Sequence, residues 1–268
     1  MPELPEVETT VRGLAHVLEG RRLVRVEPRR ADLRRPFPQD LGQRLTGARV
    51  TGLGRRAKYG LVHSDRGDTM IFHLGMSGRW RIDPEEPDKH DHLLIETDEG
   101  RRLALNDPRR FGSVDLVPTE ALGQFEGFAD LGPEPFDLTA EDLQRRLAGR
   151  SAAIKLLLLD QRIVAGLGNI YVCEALHRAG ISPKRAGGKV SLERLRRLVP
   201  EIRAVLAEAI EAGGSTLRDY VRPDGELGYF SKSFLVYDRE GEACGCGRPV
   251  KRFAQGGRST WHCPACQR

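Results

Sequence analysis

The chain has 268 residues, enough for one large domain or two to three small ones, and 30% of them are charged. Its 43 Lys+Arg against 38 Asp+Glu leave a formal charge of +5, a modest excess that suits a nucleic-acid partner. No apolar run approaches the roughly 18 residues of a membrane helix, and the charged start lacks the apolar core of a signal peptide, so no membrane association and a cytoplasmic location are expected.

The chain opens Met-Pro-Glu-Leu-Pro-Glu. If Met1 is removed, Pro2 becomes a secondary amine at the chain terminus. A free α-amino group has a pKa of about 7.7–8.0, so part of it is neutral and nucleophilic near neutral pH. Its attack on a sugar C1′ gives an iminium ion, an electron sink by the same logic as lysine Schiff-base catalysis. Glu3 and Glu6 supply carboxylates beside that amine as candidate acid or base. Pro and Glu also suit the first turn of any helix, and both readings stand at this point. Val7, Val11, Leu14, Val17 and Leu18 recur at helical spacing and Gly20 supplies a stop, which predicts a helix from Pro5 to Leu18.

Short extended segments follow around 23–26, 48–53, 61–63, 69–74, 92–96, 103–105 and 113–117, separated by Gly, Asp and Pro clusters. That rhythm predicts an antiparallel sandwich or barrel. Lys58 stands among arginines in Arg55-Arg56-Ala57-Lys58-Tyr59, where it reads as a phosphate contact. Met76 sits between glycines in Leu74-Gly75-Met76-Ser77-Gly78, and Phe111 between Arg110 and Gly112, both at loop tips. Exposed Met and Phe can act as wedges in kinked duplexes, although a core role is the commoner use of Met. His90 lies in a short Lys89-His90-Asp91-His92 loop.

Leu131-Gly132-Pro133-Glu134-Pro135 is a stiff connector and the best domain boundary. Helices are expected over 139–147, 151–159, 168–178 and 191–212, the last kinked at Pro200. Between two of them, Gly166-Leu167-Gly168-Asn169-Ile170-Tyr171 brings a helix N-terminus to Asn169, an anion site or simply a cap. Lys155 interrupts the apolar run 154–159, so it must point outward or be paired. Residues 213–230 are glycine-rich and loop-like. Of five cysteines, four crowd into the last 25 residues as Cys244-Gly245-Cys246 and Cys263-Pro264-Ala265-Cys266, a pattern that suggests one structural tetrahedral zinc.

These motifs, in this order and over the whole chain, resemble those of the bacterial formamidopyrimidine-DNA glycosylases. Leu4 leans toward this purine-specific branch, because the related endonuclease VIII branch usually has Gly there. The resemblance implies an α+β multidomain protein: an N-terminal β-sandwich domain with its N-terminal helix (1–130), a helix–two-turns–helix DNA-binding domain with a lesion loop (131–234), and a C-terminal zinc-finger β-hairpin (235–268). It implies base excision repair by a monomeric glycosylase and abasic-site lyase acting on duplex DNA with oxidised purines or abasic sites, in the nucleoid. It assigns catalysis to Pro2, Glu3, Lys58 and Arg258, and filling of the vacated base position to Met76, Arg109 and Phe111. It makes His90, Arg150, Asn169, Glu6, Lys155 and Tyr171 DNA-facing, and residues 213–230 the loop that reads the flipped base. The metal is structural, and no metal or organic cofactor is expected in the chemistry.

One departure stands out. The family has C-x-x-C in both cysteine pairs, while this chain has C-x-C in the first, with the sixteen-residue spacing from Cys246 to Cys263 retained. Two other readings share parts of the pattern. An oxidised-pyrimidine enzyme of the endonuclease VIII branch would share every catalytic residue. A non-catalytic DNA-binding module would keep the finger and basic surface but would be expected to lack Pro2, Glu3 or Lys58, all of which are present.

Overall fold

The computed structural model describes residues 2–215 and 222–268. Two units emerge, Met1–Ala129 with Ala212–Tyr229, and Asp130–Glu211 with Phe230–Arg268.

In the first unit, α1 (Leu4–Leu18) is amphipathic as its spacing predicts, with Val7, Val11, Leu14, Val17 and Leu18 buried. It packs against β2 (Val50–Arg56) and β3 (Tyr59–Ser64). These strands continue through β4 (Asp68–His73) to β8 (Ser113–Pro118) as one antiparallel sheet in the order β2-β3-β4-β8. A second four-stranded sheet runs β1-β6-β7-β5, from β1 (Leu23–Pro28), β5 (Arg79–Ile82), β6 (Asp91–Thr97) and β7 (Arg102–Asn106). One core serves the helix and both sheets: Val26, Val50, Phe72, Trp80, Leu93 and Leu105 all belong to it. Such a shared core is what a sandwich requires. Gly60 faces Phe72 across β3 and β4, and a Cβ there would lie 2.1 Å from the Phe72 ring, so only glycine fits.

Two elements of this unit were not foreseen. The four-residue β5 follows directly on Gly78 and is too short for its alternation to register. A short helix, α2 (Leu41–Leu45), adds Leu41 and Leu45 to the core. The outer face of the β3–β4–β8 sheet is covered by 3₁₀ turns between 119 and 128, where Phe125 packs on Leu61 and Ile71.

The second unit is helical: α3 (Ala140–Leu147), α4 (Ile154–Leu159), α5 (Asn169–Arg178) and α6 (Leu192–Glu211). It ends in a hairpin of β9 (Lys251–Gln255) and β10 (Arg258–His262). The α4 helix starts three residues later than expected because the preceding backbone pairs with 185–187: Ala153 bridges Ala186, and the Ile154 amide donates to the Arg185 carbonyl at 2.7 Å. The α6 helix runs unbroken through Pro200. The centre of this unit is α5, whose residues Ile170 to Leu176 are all buried. No helix among the described residues is long and apolar enough to cross a membrane.

Candidate functional site

In the first unit, Pro2, Glu3 and Glu6 are all buried at the start of α1. The Glu3 amide donates to Glu6 Oε2 at 2.9 Å, the backward half of a capping box. Glu6 Oε1 accepts the Ser215 amide at 2.8 Å. Both oxygens of Glu6 are therefore held by backbone amides, one next to Pro2 and one in the 212–229 segment. In this structure that carboxyl group is an internal brace between the head of α1 and the 212–229 segment.

Lys58, 7% exposed, follows Ala57 in the β2–β3 turn, where Ala57 has φ +52. Arg55 fixes this turn to α1. Its Nε donates to Glu8 Oε2 at 3.0 Å, and its Nη1 donates to the Ala57 carbonyl at 2.8 Å. The β3–β4 register pairs Tyr59 with His73, and their rings lie 4.9 Å apart. Burial, then the Lys58 charge and those of Arg34 and Arg35, push the His73 imidazole down to about 4. His73 is thus neutral at physiological pH, and its Nδ1 accepts the Gly75 amide at 3.1 Å. Neither the Arg55–Glu8 brace nor His73 was singled out from the sequence. The strand register, which the sequence does not display, is what brings His73 to Lys58.

Met76, Arg109 and Phe111 are all exposed. The Arg109 guanidinium lies over the Phe111 ring at 4.8 Å, a cation–π geometry. The fully buried Asp107 holds their two loops in place. It accepts from Ser77 Oγ at 2.6 Å through Oδ1 and from the Gly112 amide at 2.8 Å through Oδ2. Ser77 Oγ in turn accepts the Arg109 amide at 3.2 Å. A Cβ on Gly75, at φ +61, would lie 2.3 Å from the Phe111 carbonyl carbon, so the Met76 and Phe111 loops touch through glycine. His90, half-buried, joins the cluster when its carbonyl accepts the Asp107 amide at 3.0 Å. The sequence signal for Asp107 was its place before Pro108 at the end of a strand.

Of the glycine-rich loop, residues 216–221 lie outside the described residues. Around them, Ser215 bridges Tyr229, and the Tyr229 amide donates to the Ala212 carbonyl at 3.0 Å. Arg222 to Gly225 and β5 line a cavity of about 320 Å³.

In the second unit, Asn169 begins α5, and its Nδ2 donates to the Ser259 carbonyl at 3.0 Å. The glycine turn before it is fixed by Gln161, which accepts the Gly166 amide at 2.9 Å and donates to the Leu167 carbonyl at 2.9 Å. Lys155 and Tyr171, expected to face DNA, are instead fully buried. Lys155 Nζ donates to Thr260 Oγ1 at 2.8 Å and to the Ser259 carbonyl at 3.2 Å, so it is paired, not outward. Tyr171 packs against Phe230 with ring centroids 5.9 Å apart. Arg150 and Arg258 are exposed, the latter opening β10 directly after Gly256 and Gly257. Gly256 has φ +58, and a Cβ there would lie 2.6 Å from Leu156, which sets the hairpin tip against α4.

The sulfur atoms of Cys244, Cys246, Cys263 and Cys266 all lie within 4.8 Å of one another. The Cys244–Cys266 and Cys246–Cys263 separations are 3.8 and 3.6 Å. A zinc–sulfur bond of about 2.3 Å in a tetrahedron places sulfurs about 3.8 Å apart, so the four thiols fit such an ion. The Arg248 amide draws the Cys246 thiol down to about 7, while Cys246 is the main influence pushing Cys266 up to about 12. Burial raises Cys244, opposed by a hydrogen bond from the Cys246 backbone. Both sulfurs of the short C-x-C pair therefore keep an amide neighbour.

The finger is docked to α5 by more than the metal site. Glu174, fully buried, accepts the backbone amides of Leu235, Val236 and Tyr237 at 2.8–3.0 Å. Gln267 Nε2 donates to the Ile181 carbonyl at 3.0 Å. Cys173, Val236, Cys244, Val250, Trp261 and Cys263 form one apolar cluster.

Comparison with known proteins agrees over the full length. Residues 1–114 match the family model of the formamidopyrimidine-DNA glycosylase N-terminal domain, and residues 131–221 that of the formamidopyrimidine-DNA glycosylase H2TH domain. The chain is 69% identical to the formamidopyrimidine-DNA glycosylase of Rhizorhabdus wittichii and 53% identical to that of Zymomonas mobilis, with 100% of each chain covered. Among solved structures, a point variant of the Lactococcus lactis enzyme in complex with Fapy-dG-containing DNA superposes with a TM-score of 0.92 at 33% identity, covering 99% of both chains. The Thermus thermophilus protein superposes at 0.89 with 40% identity, covering 99% of this chain and 98% of that one. The chain belongs to the bacterial formamidopyrimidine-DNA glycosylase family.

Proposed function

We propose that this protein excises oxidised purines (8-oxoguanine and formamidopyrimidines) from duplex DNA and then cleaves the resulting abasic site, as a cytoplasmic enzyme of base excision repair. The observation that carries this reading is 69% identity, over the full length of both chains, to a relative that bears the glycosylase name.

In the chain without Met1, the Pro2 nitrogen forms a bond to C1′ as the C1′–base bond breaks, and the base leaves with the bonding pair. Glu3, buried beside Pro2 at the head of α1, assists the proton transfers. Opening of the sugar ring leaves an iminium ion, which acidifies the C2′ proton. Loss of that proton expels the 3′ phosphate, and a second elimination expels the 5′ phosphate. Lys58 supplies a proton on the 3′ side, and Arg258 grips the phosphate at the lesion. Met76, Arg109 and Phe111 fill the position the base has left, a step any enzyme that extrudes a base must manage. His90, Arg150 and Asn169 hold the backbone to either side.

On this reading residues 1–130 carry the covalent chemistry, while residues 131–234 and 235–268 carry most of the duplex grip and the finger supplies Arg258. Zinc, bound by Cys244, Cys246, Cys263 and Cys266, fixes the shape of the finger and takes no part in the reaction.

Borohydride trapping on a duplex with one 8-oxoguanine tests the mechanism. The protein without Met1 is expected to become covalently linked to that duplex. A form retaining Met1, whose Pro2 nitrogen is an amide, is expected to trap at background level. Equal trapping by both forms would remove Pro2 from the covalent step.

A further inference from the structure

We propose that His177, on the last turn of α5, donates a hydrogen bond from Nε2 to the Cys244 thiolate and so strengthens the finger's hold on its metal from outside the finger. The proposal rests on the reading of the four cysteines as a zinc site.

His177 Nε2 lies 3.2 Å from Cys244 Sγ, inside the range for a hydrogen bond to sulfur. His177 is not one of the clustered ligand groups, which comprise the four cysteines alone among the described residues. It therefore stands one layer out. The tautomer follows from the surroundings. A metal-bound thiolate can only accept, so the nitrogen facing it must carry the hydrogen. His177 Nδ1 is buried and has no hydrogen-bond partner. A proton there would bury an unpaired N–H and turn a lone pair toward the sulfur, two unfavourable contacts at once. With the proton on Nε2, the buried Nδ1 is only an acceptor left unused.

Cys244 is also the ligand on which such a donor has most effect. It is the first cysteine of the short C-x-C pair, held in a turn where the Cys244 amide donates to the Arg248 carbonyl at 2.8 Å and the Gly247 amide to the Cys244 carbonyl at 2.7 Å. The same helix carries Asn169 at its first turn and Glu174 in its middle, each bonded to backbone of the 230–268 segment. His177 completes that set: α5 touches the finger at its phosphate end, at its entry and at its metal. Hydrogen bonds to a metal's ligands lower the charge that the ligand must pass to the ion, and their loss typically costs 10–100-fold in metal affinity.

The experiment uses the full-length protein, stripped of metal under reducing conditions and refilled with cobalt(II) or zinc. The parent is expected to take up one ion and show sulfur-to-cobalt charge-transfer absorption. His177→Leu is expected to lose about 10–100-fold in zinc affinity by chelator competition, with the charge-transfer band moved to lower energy because the sulfur is then the stronger donor. His177→Gln, whose amide nitrogen reaches about as far as Nε2, is expected to keep both near the parent values. Circular dichroism of the metal-loaded forms shows whether each variant is folded. A Leu variant equal to the parent in affinity and band position would overturn the proposal. So would a Gln variant that loses as much as Leu. A parent that takes up no ion would overturn the zinc reading itself, which separates the two failures.

Discussion

The two ends of the proposed chemistry are held by different ranges of contact. At the head of α1, the Glu3 amide is fixed by a carboxyl group three residues away. At the hairpin, the Ser259 carbonyl beside Arg258 is fixed by Asn169 and Lys155, 90 and 104 residues distant. The first arrangement forms whenever the helix forms. The second exists only after α4, α5 and the hairpin have come together. A local device can be read from spacing, while a distant one is visible only once the fold is known.

Glu3→Gln breaks the local end with the largest expected effect. A residue that moves a proton in the transition state is worth about 10²–10⁴-fold in rate. Single-turnover excision of 8-oxoguanine should fall by that amount, with duplex affinity nearly unchanged, because the amide side chain keeps the size and burial of the original. An equal loss in affinity and rate would make Glu3 a binding residue.

That difference in range also explains what the sequence disclosed. The α1 periodicity, the strand rhythm and the cysteine pairs are local patterns, and the structure contains the helix, the sandwich and the sulfur cluster. Lys155 was legible only halfway: its apolar neighbours demanded a partner, but nothing near it said that the partner lies in β10. The motif that makes Tyr171 DNA-facing includes the partly exposed Asn169, whereas two residues further along α5 the Tyr171 side chain is already buried in the core. Asp107 was hidden for another reason. Its two acceptor oxygens serve Ser77 and Gly112, and that pairing depends on the touching of two loops.

Lys155→Met tests the distant end. It removes a donor from Thr260 Oγ1 and the Ser259 carbonyl in a fully buried position. The Ser259 carbonyl keeps its Asn169 donor, but Thr260 Oγ1 loses the Lys155 one. A buried acceptor left without its donor costs about 1–3 kcal/mol, so thermal unfolding followed by circular dichroism should shift down by several degrees. Methionine fills much of the lysine volume, which limits the contribution from a cavity. An unchanged midpoint would show that the Asn169 bond to the Ser259 carbonyl suffices to hold the strand.

Phe111→Ala addresses the region between these extremes, two adjacent loops pinned by one buried carboxyl group. If Phe111 fills the vacated base position, its loss should slow excision from intact duplex and spare cleavage of a pre-formed abasic site. Unstacking costs a few kcal/mol and an abasic site has less stacking to lose, so a difference of about tenfold between the substrates is expected. Equal loss on both would indicate that Phe111 only supports Gly75 and the loop.

The smallest effect separates charge from geometry at the distant end. Arg258 is exposed at the hairpin turn, and Asn169 is bonded to the backbone of the residue after it. If both face phosphate, both Arg258→Ala and Asn169→Ala should weaken duplex binding. Only the arginine releases a counterion on binding, so only its loss should make the plot of log K against log salt shallower, by about one unit. Asn169→Ala should leave that slope where it was, because a neutral amide displaces no cation. The comparison needs only binding titrations at several salt concentrations on one lesion duplex. An unchanged slope in Arg258→Ala would place the guanidinium away from phosphate, and the hairpin would then be a spacer that α4 and α5 position for other residues.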